Sequence, residues 1–343
     1  MVEMLCREIE IRSDYLPQKT ISTLYFGGGT PSLLGKEELE RIMDALHQHF
    51  SIEKSAEVTL EANPDDLTKK KLVELKNSGI NRLSVGIQSF DDGQLQYMNR
   101  AHKAEQAEIA VKLAQDIGFD NISIDLIYGI PSPDHLIWEN DLTKALALQV
   151  QHISSYCLTI EPATVFGRKK EKGLLAPENE EYNAQQYEKL IKCLELNGFE
   201  QYEISNFCKP GYLSKHNSNY WNDEYYLGIG PGAHSYDGDS RQYTVENNVS
   251  YINSLAKKII PYTKELLDLK TKANEYIMTR LRTKWGVEVT VLETKFGIPF
   301  DILQGTVEKY REMGFLETEK KLLKLTKKGL LFADKITEDL FII

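Results

Sequence analysis

Cysteine is scarce in this chain: four occur in 343 residues, at Cys6, Cys157, Cys193 and Cys208. No two are spaced as C-x-x-C, so no cysteine-built metal site is legible, and their scatter excludes a small disulfide-stapled scaffold. That usage points to a reducing, cytoplasmic setting. Long apolar runs are missing as well. Charged residues make up 27% of the sequence, and no stretch reads as a membrane span or as the apolar core of a signal peptide. A basic surplus is also lacking: 41 Lys and Arg stand against 51 Asp and Glu, for a net charge of −10. Nucleic acid is therefore excluded as a default partner, because phosphate binding needs cations in excess. There is no P-loop, no G-x-S-x-G nucleophile elbow, no H-E-x-x-H and no evident Ser-His-Asp set, which leaves a plain barrel hydrolase or lyase without support. No repeat of fixed period marks a solenoid.

What is present is a length that suits two domains, or one large α/β barrel with an appendage, and 41% hydrophobic residues to build the core. From residue 21 short β-rich runs alternate with longer helical stretches. The runs fall at 21–26, 57–61, 82–87, 122–127 and 152–159. The helices are clearest at 36–50, 67–77, 105–117 and 139–148. Leu67, Leu72 and Leu75 share a face ahead of Gly79, and Ala107, Ala110, Val111 and Ala114 do the same ahead of Gly118, two helix-stop signals. This alternation predicts βαβ units and a parallel sheet. Residues 1–12 read as an amphipathic helix with no strand before it. Two explanations fit: a helix that caps the barrel, or a barrel whose first strand is missing.

After residue 162 the alternation stops. Residues 167–181 are charged, contain Gly173 and Pro177, and read as a linker or flap. A helix is expected at 182–196 and a strand at 201–207. Residues 208–236 are rich in Gly, Tyr, Asn and Trp. From residue 274 the pattern is helix, helix and a Lys-rich hairpin near 317–325, similar to a small winged-helix unit. In an acidic chain such a Lys run reads as a solvated face rather than a DNA-binding surface. The expected domains are 1–165, a partial (β/α) barrel; 166–260, a barrel extension with an α+β region; and 261–343, the winged-helix-like unit.

Functional groups of parallel α/β folds gather at the C-terminal ends of strands. Those ends carry Gly27-Gly28-Gly29-Thr30-Pro31, Glu61-Ala62-Asn63-Pro64, Gly86-Ile87-Gln88-Ser89-Phe90, Asp125 to Pro131, and Thr159-Ile160-Glu161-Pro162. Five polar or bare-backbone ends facing one mouth predict a ligand site. The triple glycine lets backbone approach a ligand closely, or simply makes a tight turn; it does not fit the dinucleotide fingerprint G-x-G-x-x-G. Glu61 and Asp125 are candidates to accept hydroxyls or bind an amine. Arg100 reads either as a surface residue or as a bidentate partner for a carboxylate. Cys157 and Cys208 read as inert thiols.

Taken together, these strand ends resemble the radical S-adenosylmethionine (SAM) proteins related to oxygen-independent coproporphyrinogen III oxidase. The stretches His216-Asn217-Ser218-Asn219-Tyr220-Trp221 and Gly228-x-Gly230-x-Gly232-Ala233-His234 are similar to the heme-chaperone branch of that family. The resemblance covers nearly the whole chain. It implies a partial parallel (β/α) barrel of the radical SAM type with a C-terminal α+β region. It implies SAM as cofactor, chelating a [4Fe–4S] cluster that three Cys thiolates hold. Gly28, Gly29 and Thr30 would lie beside the SAM methionine amine, and Glu61 would hold a ribose. Gln88, Arg100 and Asp125 would also contact SAM, serving a second SAM molecule in the oxidase branch. The backbone near Thr159 and His234 would approach the ligand. For His234 a structural role, a SAM contact and a heme or porphyrin contact all stand open; for His216 the structural role leads.

The family's C-x-x-x-C-x-x-C motif and its first strand are both missing, at the same place. The expectation is therefore that the sequence lacks the segment that precedes Met1 in the family. A chain with this start would not hold the cluster in the family manner, nor cleave SAM by that route. The function the resemblance implies is a heme chaperone, binding heme or porphyrin and passing it to heme-acceptor proteins, with any membrane association made through those acceptors. The alternative it implies is the oxidase, which converts two propionates of coproporphyrinogen to vinyls.

Overall fold

The computed structural model describes residues 1–162, 164–173, 175 and 179–343; Pro177, expected within the linker, lies outside them. Two compact units share the chain, one made of 1–24, 34–57 and 214–343, the other of 25–33 and 58–213.

A seven-stranded sheet has the order β1 (Thr20–Phe26), β2 (Ser51–Ala62), β3 (Arg82–Gln88), β4 (Ile122–Tyr128), β5 (His152–Cys157), β7 (Asn206–Cys208), β6 (Glu200–Glu203). Strands β2 to β5 pair in parallel, with Val85 opposite Ile124 and Asp125 opposite Ser154, whereas β7 runs antiparallel to β5 and β6. The expected single strand at 201–207 is thus a hairpin. Its turn carries neither Gly nor Pro; the Glu203 carboxylate holds it by accepting from the Ser205 amide at 3.0 Å.

Between the parallel strands run α3 (Lys69–Asn77), α4 (Asp92–Tyr97), α5 (Ala104–Ile117) and α6 (Leu136–Ala147), followed by α7 (Val165–Glu171) and α8 (Glu180–Leu196). Helix α7 occupies part of the stretch expected as linker, started by the Thr164 hydroxyl accepting from the Gly167 amide. Gly79 and Gly118 both take positive φ at helix ends.

The strand period of two sorts the side chains. Leu83, Val85, Ile122, Ile124 and Leu126 have no exposed surface; each contributes about 1.5–3 kcal/mol by leaving water. The small faces of Ala107, Ala110 and Ala114 on α5 pack closely on this side. The opposite face of β3, β4 and β5 is polar: Ser84, Ser123, Asp125, His152 and Ser154. Buried polar groups need partners, and His152 has both: its Nδ1 meets Ser123 Oγ at 2.8 Å and its Nε2 meets Tyr202 OH at 2.8 Å. Burial pulls this imidazole well below its ordinary range, so it is neutral.

The other unit holds α1 (Val2–Ile11) and α2 (Lys36–His49). It continues with α9 (Lys215–Trp221) and the antiparallel sheet of β8 (His234–Tyr236), β9 (Ser240–Thr244) and β10 (Tyr262–Leu266), with α10 (Asn248–Ala256) between β9 and β10. Next come α11 (Leu269–Leu281), β11 (Val287–Glu288), α12 (Val289–Lys295), α13 (Asp301–Glu312), the hairpin β12 (Leu316–Glu319) and β13 (Leu322–Leu325), and α14 (Ala333–Asp339). Ile277, Leu281, Leu292, Val307, Leu323 and Ile336 form the core of this last part.

Helix α1 is held by a buried polar cluster. Glu8, with no exposed surface, accepts from the Gly230 amide at 2.9 Å and from Tyr251 OH at 2.5 Å. Arg12 lies 3.4 Å from Glu8 and donates to Gly228 O at 3.3 Å and Gln242 Oε1 at 3.1 Å. The glycine-rich segment 228–232 is thereby tied to α1.

Candidate functional site

In the unit of 25–33 and 58–213, strand β1 ends in the three glycines. Gly28 and Gly29 have φ of +71° and +67°, with open space where a Cβ would stand. Only glycine takes that backbone freely. Gly27 differs: a Cβ there would lie 2.5 Å from the Tyr25 ring and 2.9 Å from Glu61 Oε1. The Glu61 carboxylate, at the end of β2, faces this turn. It accepts from Tyr25 OH at 2.7 Å on Oε1 and from the Gly28 amide at 3.2 Å on Oε2. Burial and the adjacent Glu61 charge push the Tyr25 phenol far up, so it is a permanent donor.

Strand β3 ends in a distortion. The β3–β4 register shifts between Val85 and Gln88, and Gln88 takes φ +69°, a strained value for a side chain with a Cβ. The twist folds the Gln88 amide back over Gly86, where the Arg100 guanidinium joins it. A Cβ on Gly86 would lie 2.9 Å from Gln88 Nε2 and 3.3 Å from an Arg100 nitrogen. Burial lowers the Arg100 guanidinium from its ordinary value; Asp125 and Asp65 oppose that.

Asp125, half-buried on β4, accepts from Ser84 Oγ at 3.4 Å. Burial pushes its carboxyl up to about 6; the Ser154 and Ser84 hydroxyls and Arg82 pull it down, and the Glu61 charge pushes it further up. The two carboxylates therefore sense each other. Thr159, beyond β5, is exposed and donates to Cys157 O at 3.3 Å.

Gly28, Glu61, Gln88, Arg100 and Asp125 thus gather at one end of the parallel strands, with Thr159 beyond the neighbouring strand. Thr30 follows in the turn and is half-buried. His234 belongs to the other unit, on β8, where it is exposed and stacks on Tyr243 at 5.5 Å. In that unit His216 has both ring nitrogens engaged, with Thr23 Oγ1 at 3.0 Å and Tyr220 OH at 3.2 Å. Glu57 accepts from the Lys215 and His216 amides at the start of α9. Sequence reasoning missed Tyr25, Ser84, Ser154 and Arg82. The signal for the two serines was available, since residues 84 and 86, and residues 152 and 154, share the face that carries Asp125.

The arrangement offers a carboxylate with open lone pairs, bare backbone amides, a guanidinium and a second carboxylate. That donor and acceptor set fits an adenosyl amino acid. A thiolate-held cluster is another matter. Among the described residues the four cysteines form no disulfide, and no three His, Cys, Asp or Glu side chains converge to hold a metal. These residues do not fit the cluster.

The profile of the Radical SAM superfamily matches residues 1–139, and that of the HemN C-terminal domain matches residues 267–332. A Bacillus subtilis protein named heme chaperone HemW is 38% identical over 93% of this chain and 85% of its own length. This chain belongs to the HemW family. HemW proteins of Lactococcus lactis and Escherichia coli are 35% and 29% identical, over 93% and 98% of this chain and 84% and 88% of theirs. Among solved structures, the radical SAM enzyme HemN of Escherichia coli, a coproporphyrinogen III oxidase, superposes with a TM-score of 0.85 at 22% identity, covering 99% of this chain and 82% of that one. That likeness fixes the HemW-family fold as the curled, mainly parallel half-barrel sheet of radical SAM proteins. Among the described residues, no helix is long and apolar enough to cross a membrane.

Proposed function

We propose that this chain is a heme chaperone of the HemW type, which binds heme and passes it to acceptor proteins in the cytoplasm, with a SAM site at the ends of its parallel strands. The observation that carries this reading is the family membership, which spans nearly the whole chain rather than one domain of it.

Bound SAM supplies the site with an adenosyl group and a charged amino acid. Glu61 uses the lone pairs left by Tyr25 and Gly28 to accept the ribose hydroxyls. Gly28, Gly29 and Thr30 present backbone to the methionine amine. Arg100 would pair with its carboxylate, and Gln88, on its strained turn, would contact the ligand as well. Asp125, ionised above pH about 6, takes a further donor of the ligand. Thr159 borders the site through its backbone.

For the heme cargo, His152 and His216 have both ring nitrogens engaged. His234 is exposed beside the glycine-rich segment and is a candidate contact, to the iron or to the porphyrin edge. Hemin titrated into the chain, followed at the Soret band, tests the function. Saturable uptake near one heme per chain, weakened in His234→Ala and followed by loss of heme to an apo-globin, is the expected result. Unsaturable uptake would overturn the reading.

A further inference from the structure

The Glu61 carboxylate does not hold itself in place. It stands at a strand end, is only half-buried, and among the described residues has no cation as a hydrogen-bonding partner. What fixes it is the phenol two residues before the glycine turn, and that contact exists because residue 27 has no side chain. Resting on the reading of Glu61 as the ribose acceptor, we propose that Tyr25 is a positioning residue of the ligand site, and that Gly27 is required to let the Tyr25–Glu61 pair close.

A carboxylate offers about four acceptor positions, two on each oxygen. Tyr25 OH takes one on Oε1 and the Gly28 amide takes one on Oε2. One position on each oxygen is left, which matches the two adjacent hydroxyls of a ribose. The two protein donors set the plane of the carboxylate, so the remaining lone pairs point in a fixed direction. Without the phenol hydroxyl, Glu61 would keep one tether and rotate about its terminal bond. A Cβ at residue 27 would act on the same pair by another route. Its closest neighbours, 2.5 Å to the Tyr25 ring and 2.9 Å to Glu61 Oε1, are side-chain atoms. Alanine there would displace the pair and spare the backbone. Tyr25 thereby tunes recognition of a cis-diol, and the ligand class it favours is a ribonucleoside rather than a deoxyribonucleoside.

The test compares adenosine with 2′,3′-dideoxyadenosine, titrated by calorimetry into the full chain and its variants. In the wild type adenosine is expected to bind more tightly, and Glu61→Gln to shrink that preference. Tyr25→Phe, which removes one hydroxyl and keeps the ring, is expected to cut the preference about tenfold, the worth of one hydrogen bond to a charged group, with dideoxyadenosine affinity unchanged. Gly27→Ala is expected to act in the same direction. A general loss of structure would lower both affinities together and leave their ratio alone. If Glu61→Gln shrinks the preference while Tyr25→Phe leaves it unchanged or raises it, this proposal is overturned and the reading of Glu61 stands. If the wild type ignores the diol or binds neither nucleoside, the reading of Glu61 fails, and the proposal with it.

Discussion

Replacing Glu8 by alanine is the most demanding test of how α1 is held. Glu8 and Arg12 are a buried ion pair, 0% and 5% exposed, and Glu8 also receives the Gly230 amide and Tyr251 OH. Alanine would leave the Arg12 guanidinium buried without its counter-charge and two donors without an acceptor. Removing one member of a buried pair costs about 3–5 kcal/mol. Glu8→Gln keeps an oxygen for Gly230 and Tyr251 but loses the charge and the oxygen that accepts from Arg12, so about 1–3 kcal/mol is expected. The double change Glu8→Leu with Arg12→Met removes both charges and is expected to be less damaging than Glu8→Ala alone. Urea unfolding followed by far-UV circular dichroism gives the order, and amide exchange at Gly230 gives the local effect, with protection lost in Glu8→Ala. The pH dependence carries a sign. Burial raises the Glu8 carboxyl above its ordinary 4.5, so the folded chain holds that proton to higher pH than the unfolded one. The resulting stability is complete below 4.5 and is lost as pH rises through the folded value, and Glu8→Gln removes this slope. A Glu8→Ala protein within about 1 kcal/mol of wild type, with Gly230 still protected, would refute the reasoning.

Asp125, raised to about 6 from 3.8, has the same sign: its contribution to stability is lost as pH climbs through about 6, and Asp125→Asn should flatten that part of a stability–pH curve. A ligand that donates to its carboxylate should bind more weakly below pH about 6, which titration in buffers on either side of that value checks. Gly28→Ala meets open space but a φ of +71°, so a cost of about 1–2 kcal/mol from backbone strain alone is expected in urea unfolding. His152 should show no imidazole titration by NMR between about pH 5.5 and 8, because burial holds it neutral.

The parallel core was legible because its strands alternate cleanly: Leu83, Val85 and Ile87 turn one way, Ser84 and Gly86 the other. Strand β2 was expected from residue 57 and begins at Ser51; its first residues are mostly polar and exposed, so nothing in their hydropathy marked a strand. Helix α14 escaped notice because so short a segment buries little more than Ala333 and Ile336. In the site, the glycine turn and the carboxylates could be found by asking what stands at strand ends. Tyr25 could not. A tyrosine in a strand reads as ordinary sheet chemistry, and its bond to Glu61 spans 36 positions. His234 entered only through family resemblance, since no local pattern distinguishes an exposed histidine at a strand start.

The two units are not consecutive in the chain. One of them needs residues 1–24, 34–57 and 214–343, and the other fills the gaps. A ribosome making this protein would release α1 and α2 long before α10, which supplies Tyr251, and before the 228–232 segment that Glu8 holds. Glu8 and Arg12, charged groups destined for burial, must wait some two hundred residues for their partners. Folding of that unit is therefore post-translational in large part and dominated by distant contacts, which slows it. It follows that neither unit can be excised by a single cut, and that a fragment ending near residue 213 would carry α1 without the segments that bury it.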